Sequence, residues 1–283
     1  MTRRAVIDVG TNTVKLLVAD VEAGSVAPVL HLDVTTRLGE GVNQTHRLAP
    51  AAIARTLDAI HRYLAEARRL GANDVLALTT SATRSATNAD EFLRACPLPV
   101  EVITGAREAE LIFRGAASDP AWASERLLVM DVGGGSAEWI MGQTGPVQRS
   151  LSLPLGAVRM WEQFADDFTG MATDLRRALA LELAPFRPGP WRMIGTGGAI
   201  VTLAQLAHRQ VDHTRLTLEA IREMVTNLNA LSLAERRRVP GLPPERADII
   251  VPGGAVFLFA MEALGAMELT VSVRSLRYGA LLT

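Results

Sequence analysis

The sequence predicts an α/β fold built from two similar lobes, and three observations support this prediction. The chain has 283 residues, which is more than one typical domain and leaves room for two packed lobes. One pattern occurs twice, as AVIDVGTNTVKLLV at residues 5–18 and LVMDVGGGSAEWIM at residues 128–141. Strand-like and helix-like segments alternate along the rest of the chain, which is typical of α/β proteins. Two lobes that begin with the same pattern imply a cleft between them.

Each copy of the pattern predicts a β-hairpin with a loop that can bind an anion. The loop residues are Gly10, Thr11, Asn12 and Thr13 in the first copy and Gly133, Gly134, Gly135 and Ser136 in the second. Glycines and small residues let a phosphate approach successive backbone N–H groups. An aspartate just before such a loop can hold a divalent cation, and here these residues are Asp8 and Asp131. A single copy would suggest an ordinary hairpin, but the repetition favours a metal-bound phosphate.

The remaining segments predict alternating helices and strands. Asn88 followed by Glu91 predicts a capping box at the start of a helix that extends to Arg94. The segment 248–251 ends at Pro252-Gly253-Gly254, which interrupts the longest apolar run of the chain. Other helices are predicted at residues 51–70, 107–117, 175–183 and 218–231, and strands at residues 75–80, 100–104, 191–194 and 269–273.

Composition excludes several classes of function. The 29 Lys plus Arg residues nearly balance the 30 Asp plus Glu residues, so we expect no binding to nucleic acid or to a membrane surface. Cys96 is the only cysteine, so no intrachain disulfide can form and a cytoplasmic location is expected. No targeting segment is recognisable, and the longest apolar run is too short to cross a bilayer. The Gly-x-x-x-x-Gly-Lys-Ser/Thr loop of many nucleotide-binding proteins is absent.

The two copies differ at the position seven residues after the aspartate. The first copy has Lys15 and the second has Glu138, both on the returning strand. Lys15 is the only lysine of the chain, which suggests that a compact charge is needed there to bind phosphate, although codon usage would also explain it. Glu138 could organise a metal ion or its waters, or could be a solvated strand residue.

Glu108 and Arg84 are candidates for catalysis and phosphate binding. Glu108 lies on the apolar side of its predicted helix, where burial would raise its pKa and make it a better general base. The alternative is a first-turn glutamate favoured by the helix dipole. Arg84 follows the carboxyl end of a strand, where α/β sheets bind ligands, and it could clamp phosphate oxygens. An ion pair with Asp90 or Glu91 is the alternative for Arg84.

A third glycine-rich loop follows the predicted strand at residues 191–194. It consists of Gly195, Thr196, Gly197 and Gly198. Exposed N–H groups at such a strand-to-helix turn suit another phosphate group or a nucleotide. Close packing of the following helix would also explain these glycines.

Eight motifs, in order along the chain, resemble the exopolyphosphatase and guanosine pentaphosphate phosphatase (Ppx/GppA) family. They are DVGTNTVKLL, TSATRSATNADEF, ITGAREAELIFRG, DVGGGSAEW, SLPLGAVRM, GTGGAIVTLA, ADIIVPGGAVF and RYGALL. The resemblance implies duplicated actin-like ATPase domains, of the ribonuclease H-like type. We expect these domains at residues 1–120 and 121–274, with a helix at about 275–283 packed on the first.

The resemblance also implies an activity, a cofactor and a set of site residues. The activity is hydrolysis of the terminal phosphoanhydride of inorganic polyphosphate, or of guanosine pentaphosphate (pppGpp), with Mg²⁺ or Mn²⁺ as cofactor and a homodimer as the assembly. The family's catalytic glutamate falls on Glu108. Metal and phosphate ligands fall on Asp8, Asp131, Glu138, Arg84 and the loop residues of both hairpins.

The chain departs from the family pattern at several positions, and two rival functions remain. Lys15 stands where the family often has arginine, Arg107 where it has a second glutamate, and Tyr278 where it commonly has glutamate, which leaves the role of that glutamate open. An actin-like ATPase or kinase would bind a nucleotide near Gly195 to Gly198 and residues 252–254. A non-catalytic polyphosphate-binding regulator is the other rival, and the presence of Glu108 argues against it.

Overall fold

The computed structural model describes residues 1–143, 145–186, 189–208 and 210–283. These residues form two compact units. The first unit comprises residues 1–123 and 274–283, and the second comprises residues 124–273. Each unit contains one mixed β-sheet with helices packed against it.

The first unit is built on a five-stranded sheet. Its strands are β1 (Thr2–Val9), β2 (Thr13–Glu22), β3 (Ser25–Thr35), β4 (Asp74–Thr79) and β5 (Val100–Val102). They lie in the order β3-β2-β1-β4-β5, with β1 to β3 antiparallel and β4 and β5 parallel to β1. The helices of its first segment are α1 (Val42–Thr45), α2 (Pro50–Arg69), α3 (Ser81–Ser85), α4 (Ala89–Ala95) and α5 (Gly105–Ala117).

Period-two alternation in the first hairpin sets Asp8 and Lys15 on the opposite face from the buried Ile7 and Leu16. Ile7 and Leu16 are fully buried and belong to the same apolar core as Ile60 of α2. Asp8 and Lys15 are their immediate neighbours in sequence, so their side chains project to the opposite face of the sheet. The burial of one face therefore fixes which face carries the charges.

The second unit is built on a six-stranded sheet. Its strands are β6 (Leu127–Val132), β7 (Ala137–Gly142), β8 (Val147–Leu153), β9 (Arg192–Thr196), β10 (Arg215–Thr217) and β11 (Glu268–Val271). Its helices are α6 (Ala157–Phe164), α7 (Phe168–Glu182), α8 (Gly198–Ala207), α9 (Leu218–Asn229), α10 (Leu233–Arg236) and α11 (Ile250–Leu264). The strand order is β10-β11-β9-β6-β7-β8.

The two units share one plan. The order β8-β7-β6-β9-β11 in the second unit matches β3-β2-β1-β4-β5 in the first, and β10 is an additional edge strand paired antiparallel to β11. In both sheets an antiparallel meander of three strands is followed by two parallel strands. The predicted α/β class and the predicted duplication are confirmed.

Helix α11 corrects the interruption predicted at Pro252-Gly253-Gly254. Pro252 occupies the first turn, where backbone N–H groups have no acceptor within the helix, so the helix continues through it. A Cβ atom at Gly253 would lie 2.6 Å from the Cβ of Ala199, so this glycine permits close packing against α8. Residues 250–261 of α11 are all buried in the second unit.

Among the described residues, no helix is both long enough and apolar enough to cross a bilayer.

The capping box predicted at Asn88 is wrong. Asn88 precedes α4, but its side chain makes no capping hydrogen bond to that helix. Its Oδ1 instead accepts a hydrogen bond from the backbone N–H of Leu48 at 2.8 Å, and its Nδ2 donates to the carbonyl of Leu48 at 3.1 Å. The Asn88 side chain therefore hydrogen-bonds to a backbone segment that is distant in sequence, and not to the start of its own helix.

The last ten residues return to the first unit as α12 (Leu276–Leu281). This helix packs tightly against α5 through two glycines. A Cβ atom at Gly279 would collide with the carbonyl of Leu111, and one at Gly115 would collide with the carbonyl of Ser275. The backbones of the two helices can approach this closely only because neither position has a side chain.

We predict that Gly279→Ala destabilises the protein. Helix propensity alone would make this change stabilising by about 0.4–1 kcal/mol. Overpacking against Leu111 should instead cost about 1–3 kcal/mol, which calorimetric or denaturant unfolding would measure. Ala54→Ser adds one atom at an exposed position of α2 and is the control. A rise in the unfolding temperature of Gly279→Ala would contradict the proposed packing.

Candidate active site

The first hairpin places opposite charges in one row across the sheet. Asp8 is paired with Lys15 on β2, and Lys15 is paired with Asp33 on β3. Residues paired in this way project to the same face. From α12, the Arg277 guanidinium donates to the carbonyl of Leu16 at 3.0 Å. Burial lowers the pKa of Arg277, whereas the negative charges of Asp8 and Asp33 raise it. Arg277 therefore brings a second cation to the row.

The backbone of the first loop is held by hydrogen bonds to its carbonyl oxygens. The N–H of Gly10 donates to the carbonyl of Thr13 at 3.1 Å and closes the loop. The carbonyls of Thr11 and Asn12 accept N–H groups from the segment after β3, including a 2.8 Å bond from Gly39 to Thr11. Among the described residues, Asn12 Oδ1 is buried without a hydrogen-bond partner. An acceptor of this kind suits a water molecule or a cation.

Arg84 and Glu108 form an ion pair at the carboxyl ends of the parallel strands. Arg84 lies on α3, directly after β4, and Glu108 lies in the first turn of α5. Arg84 Nη1 donates to Glu108 Oε2 at 2.8 Å and to the carbonyl of Ile103 at 2.8 Å. The alternative that we considered, an ion pair with Asp90 or Glu91, does not form. The Glu108 side chain is only 10 % exposed, and the charge-assisted hydrogen bond from Arg84 fixes the position of its carboxylate.

The second loop repeats the backbone pattern of the first. The N–H of Gly133 donates to the carbonyl of Ser136 at 3.0 Å, matching the bond that closes the first loop. The carbonyls of Gly133 and Gly134 accept the N–H groups of Ala157 and Val158, each at 2.9 Å. These donors belong to the first turn of α6, whose N–H groups have no acceptor within the helix. The N–H groups at the start of the helix and the carbonyls of the loop therefore satisfy each other's hydrogen-bonding requirements.

A Leu-Gly pair that the sequence analysis missed lies at the segment that hydrogen-bonds to the loop in both units. Leu38-Gly39 follows β3, and Leu155-Gly156 follows β8. A Cβ atom at Gly39 would collide with the side chain of Thr11, and one at Gly156 would collide with the backbone of Gly134. Only glycine lets the chain pass this close to each loop. The repeated Leu-Gly pair, compared between the copies, would have revealed this second part of the duplication.

Hydroxyl groups orient both carboxylates of the second hairpin. Asp131 is paired with Glu138 across β6 and β7. Thr196 Oγ1 donates to Asp131 Oδ2 at 2.6 Å, and Ser152 Oγ donates to Glu138 Oε1 at 2.8 Å. Glu138 is 1 % exposed, so the alternative of a solvated strand residue is wrong. Two buried or half-buried carboxylates on one face form an oxygen donor set that suits a hard divalent cation.

The third loop lies beside the second, at the carboxyl end of β9. Gly197 has a φ of 93°, and a Cβ atom there would lie 2.7 Å from the carbonyl oxygen of Val132. A Cβ atom at Gly198 would collide with the guanidinium of Arg246, which the sequence analysis did not single out. Gly195 is inside β9, where the Leu269 side chain would lie 3.0 Å from a Cβ atom. Packing accounts for Gly195, and its predicted role in phosphate binding is untested.

Glycine-containing loops next to carboxylates at the ends of parallel strands are the parts expected of a metal-assisted phosphohydrolase. The chain matches the Ppx/GppA phosphatase family over residues 17–283, and it belongs to that family. It is an enzyme that hydrolyses phosphoanhydride bonds, as the sequence predicted.

Individual relatives agree with this assignment. Exopolyphosphatase 2 of Mycobacterium tuberculosis is 36% identical to this chain, over 96% of the chain and 95% of that protein. The guanosine-5'-triphosphate,3'-diphosphate pyrophosphatase of Aeromonas hydrophila is 28% identical, over 97% of the chain and 58% of that protein. The crystal structure of an exopolyphosphatase from Cytophaga hutchinsonii is similar with a TM-score of 0.88 and 28% identity, covering 99% of this chain and 96% of that one.

We predict that Gly197→Ala impairs phosphate release more than it impairs folding. The new methyl group would displace Val132 and the Asp131 carboxylate, and a displacement of about 1 Å in a catalytic group can reduce the rate about 100-fold. Gly24→Ala is the matched control, since Gly24 has a φ of 85° but a Cβ atom there would meet no other atom within 4 Å. Steady-state phosphate release and thermal unfolding of both variants provide the measurement. Equal activities of the two variants would contradict the assignment of this loop to the site.

Proposed function

We propose that the protein is an exopolyphosphatase, which hydrolyses the terminal phosphoanhydride of inorganic polyphosphate and releases orthophosphate. The observation that carries this proposal is the Arg84–Glu108 pair, a buried carboxylate held at the carboxyl ends of the parallel strands. The similarity to exopolyphosphatase 2 of Mycobacterium tuberculosis, which extends over nearly the full length of both chains, supports polyphosphate as the substrate.

The phosphate ligands in this proposal are backbone N–H groups and cationic side chains. In the first unit they are the N–H groups of residues 11–13 together with Lys15 and Arg84. In the second unit they are the N–H groups of residues 134–136 and of the loop at residues 196–198. The N–H groups of Gly10 and Gly133 close their loops instead, so the role of these two glycines is to form the loops rather than to donate to phosphate. Hydrogen bonds to the carbonyl oxygens hold the loops at residues 10–13 and 133–136 in place, so their N–H groups need little reorganisation when phosphate binds.

The donor groups present suit Mg²⁺ or Mn²⁺. Asp8, Asp131 and Glu138 are the carboxylates that we propose as ligands, directly or through water, and the buried Oδ1 of Asn12 offers a further oxygen. The hydroxyls of Thr196 and Ser152 orient two of the three carboxylates. A divalent cation at such a site neutralises negative charge on phosphate oxygens and so favours attack by a nucleophile.

Glu108 is the proposed general base. Its carboxylate accepts a proton from the attacking water and orients that water in line with the bond to the leaving phosphate. Arg84 holds this carboxylate at 2.8 Å and so fixes its direction. Lys15 supplies a compact positive charge that stabilises the negative charge developing on phosphate oxygens. Positioning and electrostatics thus provide most of the rate enhancement.

We predict that Glu108→Gln lowers kcat for phosphate release by about 100- to 10,000-fold, because the amide cannot accept the proton of the attacking water. The Kd for tripolyphosphate, measured by calorimetry, should stay close to that of the wild type. Glu110→Gln is the matched control on the same helix, since within the described part of the chain Glu110 forms its ion pairs with Arg107 and Arg114. Wild-type kcat in the Glu108→Gln variant would refute the assignment.

Hydrolysis of the 5′ terminal phosphate of pppGpp is the second candidate, and the similarity to the Aeromonas hydrophila enzyme favours it. Phosphate release should be compared for long-chain polyphosphate, tripolyphosphate, pppGpp and ATP at matched ionic strength. We expect the highest kcat/KM with polyphosphate. A higher value with pppGpp would transfer the assignment to that substrate, and efficient turnover of ATP would instead support the ATPase alternative.

We also propose a cytoplasmic homodimer as the working form of the enzyme. The cytoplasmic location follows from the single cysteine and the composition, and the homodimer follows from the family resemblance. Light scattering coupled to size-exclusion chromatography tests the dimer directly.

A further inference from the structure

Arg159 lies against the second phosphate loop, and neither the sequence motifs nor the proposed mechanism assigns it a role. It belongs to the first turn of α6. Its backbone N–H donates to the carbonyl of Gly134 at 3.2 Å, and its side-chain Nε donates to the carbonyl of Gly135 at 3.1 Å. The guanidinium is therefore fixed beside the loop by a hydrogen bond that uses only one of its nitrogens.

The positive charge of this side chain is not neutralised by an ion pair. Arg159 is half-buried, and burial lowers the pKa of its guanidinium, while the charge of Glu162 raises it. Within the residues that the structure describes, Glu162 is the acidic group that acts on Arg159, and it does so through its charge without a side-chain hydrogen bond. Withdrawing a guanidinium from water is costly, so a half-buried arginine with one side-chain hydrogen bond gains from an anionic ligand that accepts from its terminal nitrogens.

The first unit has no equivalent of this arginine. Counting from the Leu-Gly pair that follows the third strand, Arg159 corresponds to Val42, which is buried and apolar. The anchoring of the loop carbonyls is common to both units, so it does not depend on an arginine. Arg159 is therefore not needed to hold the second loop in place, and its positive charge has no counterpart at the first loop.

We propose that Arg159 is a phosphate-binding residue of the second loop: its Nε is held by the Gly135 carbonyl, and its terminal nitrogens bind an oxygen of the polyphosphate substrate. This inference rests on the proposed function for the identity of the substrate. A planar guanidinium can donate two parallel hydrogen bonds to phosphate, which a lysine cannot do. The residue should act on substrate affinity, since it binds oxygens and takes no part in proton transfer.

Arg159→Gln and Arg159→Lys test the proposal, with inorganic tripolyphosphate in Mg²⁺ buffer as the probe. The matched control is Arg237→Gln, which removes the same charge from an exposed position of the same unit. Loss of a charge-assisted contact to phosphate should weaken tripolyphosphate binding by about 10- to 100-fold in Arg159→Gln. Arg159→Lys should recover part of this loss, and Arg237→Gln should bind like the wild type. KM should rise in parallel with Kd, with little change in kcat.

Three results would decide against the proposal. The first is equal tripolyphosphate affinity in Arg159→Gln and Arg237→Gln. The second is a fall in kcat at unchanged KM. The third is a loss of affinity that accompanies a lower unfolding temperature in both Arg159 variants, which would show a purely structural role. Calorimetry measures binding alone, so this test is separate from the test of the proposed function. If the wild type bound tripolyphosphate but did not hydrolyse it, the proposed activity would be refuted. The effect of Arg159 on binding could still be measured.

Discussion

The antiparallel register of the first two strands of each unit determines the arrangement of the charged groups. One face of each hairpin is buried in an apolar core, so a shift by one residue would move apolar side chains into the place of charged ones. The observed register sets Asp8 opposite Lys15 and Asp131 opposite Glu138. Burial of Ile7 and its apolar neighbours thereby supplies the free energy that holds the charges in one row.

The loops between these strands depend on a second constraint, which acts through the backbone. In both units, N–H groups that follow the third strand donate to loop carbonyls, and a glycine provides the space for this approach. A peptide carbonyl held on one side of a loop turns the adjoining N–H groups away from it, because the peptide unit is planar. Preorganised N–H groups stabilise a bound anion without the cost of reorienting the loop. In each unit, the conformation of the loop therefore depends on the three-stranded meander that precedes and follows it.

Local patterns in the sequence predicted the duplicated hairpins, the helices α2, α5 and α9 and the α/β class, because alternation and helical spacing report directly on burial. Features decided by distant backbone could not be predicted in this way. Asn88 binds the backbone of Leu48 rather than its own helix, and the close approach of α8 to α11 depends on Gly253. In the candidate site, the residues could be named, but the pairing of Arg84 with Glu108 required the positions of two separate helices.

The duplication explains the positions of the functional groups, and the differences between the copies explain their chemistry. The shared scaffold supplies a loop and a paired strand position in each unit. The first unit places cations there, with Lys15 opposite Asp8 and Arg277 nearby, whereas the second places Glu138 opposite Asp131. Cations bind phosphate oxygens directly, whereas carboxylates bind them only through a metal ion, so the two units offer different chemistry at equivalent positions. Since the five matching strands and the anchoring of the loops are common to both units, a few side chains could change the chemistry of a loop without altering the fold.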